Sequence, residues 1–290
     1  MFKTIILTFL ALIAFAGNSI LNRLAFSDGA IDAASFTGIR LFSGILFLLF
    51  LVAINSAKNS NKKINLKSGS WLSALFLFLY ALTFSFAYIT LDTGTGALIL
   101  FGFVQITMIF SDFLKGIRLQ LIEWSGLIIA FLGLTILLLP GASAPSSTGF
   151  ALMALSGVAW GIYTLAGKGS KTPLNDTANN FLRTLPLVVI LILFTFDSAQ
   201  ISKQGVILAI ASGAITSGLG YAIWYSALAG LSVTQAAVIQ LTVPIIAAIG
   251  GILFSKEIIS LQLIISSVLV LGGVLIVVLG KQAFSKSGKT

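Results

Sequence analysis

The chain has 290 residues, 58% of them hydrophobic and only 9% charged, and its mean hydropathy of +1.08 excludes a single water-soluble core, since soluble domains carry about 25% charged residues. It contains no cysteine and no histidine, which excludes disulfides, thiol chemistry, thiolate or imidazole metal sites and histidine proton relays. The net charge of +9 on so apolar a chain fits basic membrane-flanking loops rather than nucleic-acid binding.

A membrane-spanning helix needs about 20 mostly apolar residues. Ten such stretches follow one another at 3–21, 32–54, 70–90, 95–114, 120–139, 148–166, 177–195, 205–226, 231–254 and 260–280. They lack the polar–apolar alternation of barrel strands, so the expected fold is an all-α integral membrane protein.

The first stretch, with Lys3 and Ala14-Phe15-Ala16, mimics a cleavable signal peptide; its counterpart later in the chain predicts that it is kept. Asn18 and Asn22 are four apart and share a helix face. Amides in lipid require partners. Asn18 is a candidate for hydrogen-bonding a solute, with a bond to a neighbouring helix as the alternative; Asn22 reads as structural.

Asp32 opens the second stretch as an N-cap, and Arg40 follows eight residues on, roughly 12 Å into the helix. An intramembrane arginine marks a functional position. Arg40 reads as an anion binder or gate residue, or as an arginine that caps carbonyls or snorkels to headgroups. The positive end of the helix dipole disfavours a cation there, so a specific partner is expected. Tyr80, Phe84 and Tyr88 recur every four residues along the third stretch, and Gln105 lies within the fourth. Gly94 and Gly96 precede or open that fourth stretch and read as turn residues.

Pro140–Thr148, rich in Gly, Ala, Ser and Pro, reads as the link between two halves, 1–140 and 141–290. In the sixth stretch Trp160 and Tyr163 flank Gly161, which with Gly157 makes a G-x-x-x-G suited to close helix contact. Arg183 occupies the seventh. Ser217, Tyr221, Trp224 and Tyr225 form an aromatic stripe on the eighth. Gln240 and Pro244 follow in the ninth, where the proline should kink the helix. The fifth and tenth stretches are almost free of polar residues, so they belong at the periphery or at a homodimer interface.

The two halves echo one another at offsets of about 140 to 144. Ala97-Leu98-Ile99 matches Ala237-Val238-Ile239, Ile39-Arg40 matches Leu182-Arg183, and Leu132-Gly133 matches Gly272-Gly273. Five helices per half is odd, so the second copy enters the membrane from the opposite side. Two inverted five-helix repeats are the sequence pointer to a carrier with its site between them.

Orientation follows from charge. With the N-terminus inside, inner segments hold twelve of the 17 basic residues: Lys3, Lys58, Lys62, Lys63, Lys67, Lys115, Arg118, Lys168, Lys171, Lys281, Lys286 and Lys289. Outer loops hold three, Arg23, Lys203 and Lys256. Both termini are therefore expected in the cytoplasm of a cell membrane protein.

Several of these segments resemble the drug/metabolite transporter superfamily, and within it the ten-helix EamA-type permeases. The resemblance spans nearly the whole chain. It is carried by Gly220–Tyr225 with Ala227-Leu228, by Pro244, by Leu253–Glu257, by Gly272-Gly273, and by Phe36–Arg40 and Phe181–Arg183. Leu114-Lys115-Gly116 departs from the pattern, as does Val104 opposite Pro244. The resemblance implies export or exchange of small metabolites, often amino acids.

All eight acids fall at expected loops or helix ends, so no carboxylate relay is built into the spans. No G-x-x-x-x-G-K-[ST] loop occurs, which excludes an ATP pump of that type. A Ser–Lys pair or paired acids at depth, the marks of an intramembrane enzyme, are absent too. A secondary transporter for an amino acid or related amphipathic solute is the expected function. A passive channel, or a carrier of phosphorylated or sugar-type metabolites, is the alternative. No cofactor, metal or nucleic-acid partner is expected; the partners are the solute and the bilayer. Asn18, Tyr80, Gln105, Trp160, Tyr163, Tyr221, Trp224 and Gln240 are the expected solute contacts, Arg40 and Arg183 the gate or charge-pairing residues.

Overall fold

A computed structural model of the chain describes residues 2–27, 29–58, 68–116, 120–139, 144–228, 230–231 and 238–287. Within them the secondary structure is helical, apart from one isolated antiparallel bridge between Ile31 and Ile201. This is the expected economy of a chain in lipid, where a helix satisfies its own backbone groups. Lys62, Lys63, Lys67, Arg118, Asp28 and the start of the Pro140–Thr148 link lie outside the described residues, as does Ala237 of the repeat match.

The helices are α1 (Phe2–Ser27), α2 (Ala33–Lys58), α3 (Trp71–Ala87), α4 (Thr93–Leu114), α5 (Leu121–Leu138), α6 (Ser147–Gly167), α7 (Pro173–Arg183) and α8 (Leu185–Thr195). Then come α9 (Lys203–Ile210), a π-helical segment Ala211–Leu219, α10 (Gly220–Leu228), α11 (Val243–Ser255) and α12 (Leu261–Ser287). Among the described residues nine continuous or stacked segments are long and apolar enough to cross a membrane, and Trp71–Ala87 is a shorter apolar tenth. The chain is a multi-pass membrane protein.

Local chemistry sets the ends. Asp32 Oδ1 accepts from Ser35 N at 2.9 Å at the start of α2. Ser70, Ser146 and Ser202 each accept the N–H three residues on, at 3.0, 3.0 and 3.1 Å. Each occupies one of the orphan donors of a helix start. α11 ends on Lys256 in the left-handed conformation, φ 54°.

Three expectations change. The seventh stretch, expected as one helix over 177–195, is broken at Thr184, because Pro186 supplies no N–H to the preceding turn. The ninth breaks at Leu241–Thr242, and α11 begins immediately before Pro244. Gly94 and Gly96 lie inside α4 rather than in a turn. A Cβ on Gly94 would stand 2.8 Å from Ala248 Cβ, and one on Gly96 would strike the Tyr88 ring, so close approach is what these positions require.

The interior is assembled from helices of both halves. α3 and α4 pack on α6, α1 on α10 and α11, and α2 on α7 to α9 with the π segment. The G-x-x-x-G face of α6 presses on α4: a Cβ at Gly157 would lie 2.6 Å from Leu100 O. α5 and α12 form the most extensive pairing, with Gly126 and Gly273 backbone to backbone. Their outer faces carry bare Leu121, Phe131, Ile264 and Val268, as a lipid-facing edge does.

Candidate functional site

The polar side chains of α1, α2, α3 and the π segment converge at the middle of the bundle. Arg40 on α2 is only 1% exposed. Its Nε donates to Ser217 Oγ at 3.2 Å and its Nη2 to Tyr80 Oη at 3.1 Å. Its guanidinium carbon lies 5.3 and 5.2 Å from the ring centres of Tyr80 and Phe84, within cation–π range. Nη1 is buried with no hydrogen-bond partner.

Asn18 on α1 completes the cluster. Its Nδ2 donates to Tyr80 Oη at 3.1 Å, and its Oδ1 accepts from Ser212 Oγ at 2.6 Å and Thr216 Oγ1 at 3.3 Å. Tyr221 on α10 donates to the same Tyr80 hydroxyl at 3.4 Å. Asn22 is held by the Asn18 carbonyl at 2.8 Å and accepts from Ser85 Oγ at 3.2 Å, a structural pairing one turn along α1.

The π segment makes the convergence possible. A π turn accommodates more residues than an α turn and marks functional positions. Here it lets Ser212, Thr216 and Ser217 all bond inward, the first two to Asn18 and the third to Arg40. Gly213 lies directly on the Arg40 carbonyl and Ser43 Oγ, in space that no Cβ could share.

Aromatic rings roof this cluster. Trp160 sits 4.8 Å from both Tyr80 and Tyr221, 5.5 Å from Tyr163 and 6.1 Å from Phe15, centre to centre. Trp224 meets Phe15 edge-on at 5.5 Å, one ring removed from the hydroxyls. Phe15, Asn18, Tyr80, Phe84, Trp160 and Tyr221, with Leu100 and Phe101, enclose a void of about 10 Å³, room for about one water. The site is closed. Two far larger crevices, about 910 and 570 Å³, are lined almost wholly by apolar side chains such as Phe42, Phe50 and Ile192, or Ile245 and Val268. Neither is lined by Asn18, Arg40, Tyr80, Ser217 or Tyr221.

Each end of the bundle is tied separately. At one end Arg23 bonds Asp92 and Glu257, both at 3.1 Å. Glu257 also accepts from Thr93 N at 3.0 Å and Thr93 Oγ1 at 2.9 Å. Arg23 thus bridges three elements, although the sequence places it among ordinary loop charges. Nearby, Asp32 Oδ2 accepts from Gln200 N, and Asp32 N donates to Gln200 O, both at 2.9 Å. Burial alone would raise the Asp32 carboxyl. The bonds from Ser35 and from the Gln200 and Ala34 backbone outweigh it and hold the group below the usual carboxylate range.

At the other end Arg183 Nη1 donates to Ser68 O at 2.6 Å, beside the Trp71 ring at 5.9 Å. Asn179 donates to Ser68 Oγ at 2.9 Å, and Asn180 Oδ1 accepts from Ser70 N at 2.8 Å. The two arginines matched between halves therefore occupy unlike settings: Arg40 is central, Arg183 holds the start of α3. Tyr163 is buried near Asn180, Thr177 and Tyr225, and its hydroxyl makes no hydrogen bond. Gln105 and Gln240 are buried outside the central network, with Gln105 Nε2 and Gln240 Oε1 unpartnered. Among the described residues no group of three His, Cys, Asp or Glu side chains is gathered for a metal.

Known proteins match this chain in sequence and in shape. The model of the EamA-like transporter family matches residues 147–279. An uncharacterized protein of Pseudomonas aeruginosa is 47% identical over 275 residues, 95% of this chain and 94% of its own. The uncharacterized transporter YoaV of Bacillus subtilis is 22% identical over 82% of this chain and 85% of its own. An uncharacterized transporter of Archaeoglobus fulgidus is 35% identical over 53% of this chain and 56% of its own. A solved crystal structure, 19% identical, superposes with a TM-score of 0.66 over 95% of this chain and 97% of its own, which is a likeness of fold.

Proposed function

The chain belongs to the EamA-like transporter family, and we propose that it carries a small amphipathic metabolite, an amino acid or a related solute, by alternating access, in export or exchange. One observation carries this reading. Asn18, Arg40, Tyr80 and Tyr221 form a single hydrogen-bonded cluster in mid-bundle, drawn from helices of both halves and roofed by Trp160. Buried polar networks in lipid are costly, and this one spans the helices that a rocking motion would separate.

In the proposed cycle the halves 1–140 and 141–290 are inverted repeats that move against each other. The present arrangement is an occluded one: the void has room for about one water, and both ends are tied. Opening the Arg23 ties exposes the cluster on one side, opening the Arg183–Ser68 ties exposes it on the other. The bias of basic residues supports cytoplasmic termini in the cell membrane, which makes the Arg23 end external. The α5–α12 pair lies at the edge of the bundle and is the proposed face for a homodimer.

Counterflow in proteoliposomes tests the carrier reading. Preloaded unlabelled solute should accelerate uptake of the same labelled solute, across a panel of amino acids and related metabolites. Uptake that never responds to preloading would favour a passive channel.

A further inference from the structure

We propose that the cargo bears a carboxylate, and that one of its oxygens takes the place that the Tyr80 hydroxyl fills in this closed state. The inference rests on the reading of the central cluster as the cargo site. Three donors from three helices point at one oxygen: Arg40 Nη2 at 3.1 Å, Asn18 Nδ2 at 3.1 Å and Tyr221 Oη at 3.4 Å. A phenol oxygen has two lone pairs to offer. A carboxylate in that position would suit the donors better, because its two oxygens together offer about four lone pairs and it brings the counter-charge that Arg40 lacks.

Arg40 supplies the electrostatic half of the argument. A guanidinium does not give up its proton in a protein, so this is a permanent cation in the bundle interior. Its partners are two neutral hydroxyls and two ring faces, and Nη1 has none. The ion pairs of Arg23 with Asp92 and Glu257 do not reach Arg40, and Arg40 forms none of its own with a described residue. A buried charge without a counter-charge is strongly unfavourable. A carboxylate entering beside it would neutralise it and offer a second oxygen to Nη1. The cluster holds a single cation, which suits a singly charged carboxylate better than a phosphate dianion. The rings of Phe15, Trp160 and Tyr221 around the void would take up the rest of the molecule once Tyr80 swings aside.

In this account Tyr80 is an internal competitor, and that separates it from an ordinary substrate contact. Removing its hydroxyl should free the donors and tighten carboxylate binding. Removing Arg40 should abolish it.

The test is thermal unfolding of the purified protein with acetate, butyrate and phenylacetate, each against its neutral amide, and with inorganic phosphate. Wild type should be raised in melting temperature by at least one carboxylate more than by its amide or by phosphate. Arg40→Met and Arg40→Lys should each need at least about tenfold more of that carboxylate for the same shift, the scale of a lost charge-assisted hydrogen bond. Tyr80→Phe should need several-fold less. Without any probe, Arg40→Met should unfold at or above the wild-type temperature, because it removes an unpaired buried charge. The proposal is overturned by equal shifts with amides, by larger shifts with phosphate, by no carboxylate shift at all, by weaker binding in Tyr80→Phe, or by an Arg40→Met protein that melts several degrees lower. The wider reading is told apart by Trp160→Ala. If amides and carboxylates act alike and Trp160→Ala abolishes both, the central site stands and the charge requirement falls. If no probe acts on wild type and Trp160→Ala behaves as wild type, both fall.

Discussion

Arg23 Nε and Glu257 Oε1 meet at 3.1 Å although 234 positions of sequence separate them. The pair joins α1, about one turn before its end, to the connection between α11 and α12, and through Thr93 it also holds the start of α4. It is half sheltered, with side-chain exposures of 21% and 12%, so water screens it less than a surface pair. A hydrogen bond to a charged group contributes roughly 1.5–3 kcal/mol. Glu257→Gln keeps a carbonyl oxygen for Thr93 and loses the charge that Arg23 requires. The bundle should then open more often at this end. The chain has no cysteine, so a single Ser19→Cys, one turn below Arg23 and buried, reports on opening. Its labelling by a membrane-impermeant thiol reagent should be about tenfold faster in the Glu257→Gln background, a factor worth about 1.4 kcal/mol. Equal labelling rates would show that the pair does not hold this end shut.

Gly213 is where α2 and the π segment touch backbone to backbone. Even one methyl group there would overlap the Arg40 carbonyl and Ser43 Oγ, and overpacking of this kind costs typically about 1–3 kcal/mol. Gly213→Ala should push the π segment away from α2 and break the Arg40–Ser217 bond. Transport should fall by at least tenfold while the protein still inserts. Gly272→Ala is the control, because a Cβ there would meet nothing within 4 Å; it should retain most of the flux. Counterflow rates of the two variants, normalised to inserted protein, decide the matter.

Hydropathy made the spans legible, because a run of about 20 apolar residues has few other uses. Arg40, Asn18, Tyr80 and Tyr221 were legible as polar atoms at membrane depth. What they bond was not. Ser212 and Thr216 are ordinary residues of a membrane helix in sequence, and Thr216 indeed also bonds its own turn, to Ser212 O at 2.9 Å. The π geometry that turns them inward has no periodic signature. Arg23 looks like a loop charge in sequence, because nothing there brings it near Glu257. Pro186 marks a helix break within a stretch whose apolarity alone suggests one continuous span. Gln105 and Gln240 share with Asn18 an amide at membrane depth, yet they lie outside the cluster. Depth along a helix does not specify which face looks inward.

Asp32 gives the fold a measurable pH response. Its carboxylate caps α2 through Ser35 N and holds Gln200 N, each at 2.9 Å, and its pKa is lowered in the folded chain. A group whose folded pKa is depressed stabilises the fold above its unfolded value and loses that contribution as pH falls through the folded one. The loss therefore belongs to the acid side, beginning near pH 4, the ordinary Asp range. Wild-type melting temperature should drop as pH falls through that range. Asp32→Asn should flatten this part of the profile, while Asp32→Ala should lower the neutral-pH melting temperature by the equivalent of about 1 kcal/mol, the usual worth of an N-cap. Identical acid limbs in wild type and Asp32→Asn would assign the response to other carboxylates.

Asn18→Asp puts a carboxylate of the protein's own where the cargo's charge is proposed to act. Oδ1 of Asn18 already accepts from Ser212 and Thr216, so an Asp oxygen inherits two donors. Its other oxygen would face the Tyr80 hydroxyl, which Arg40 also bonds, and the two charges would stand one hydroxyl apart. An opposite charge at that range favours the ionised acid, and it offsets the unpaired guanidinium. Asn18→Asp should therefore melt higher than wild type without cargo, yet show no further rise with a carboxylate and no counterflow. Asn18→Ala should differ in direction: it leaves Ser212 Oγ without its acceptor, a cost of about 1–3 kcal/mol for a buried polar group, and should melt lower. A protein in which Asp and Ala at this position melt alike would mean that Asn18 serves only as a hydrogen-bonding tie. The charge of Arg40 would then be balanced from elsewhere.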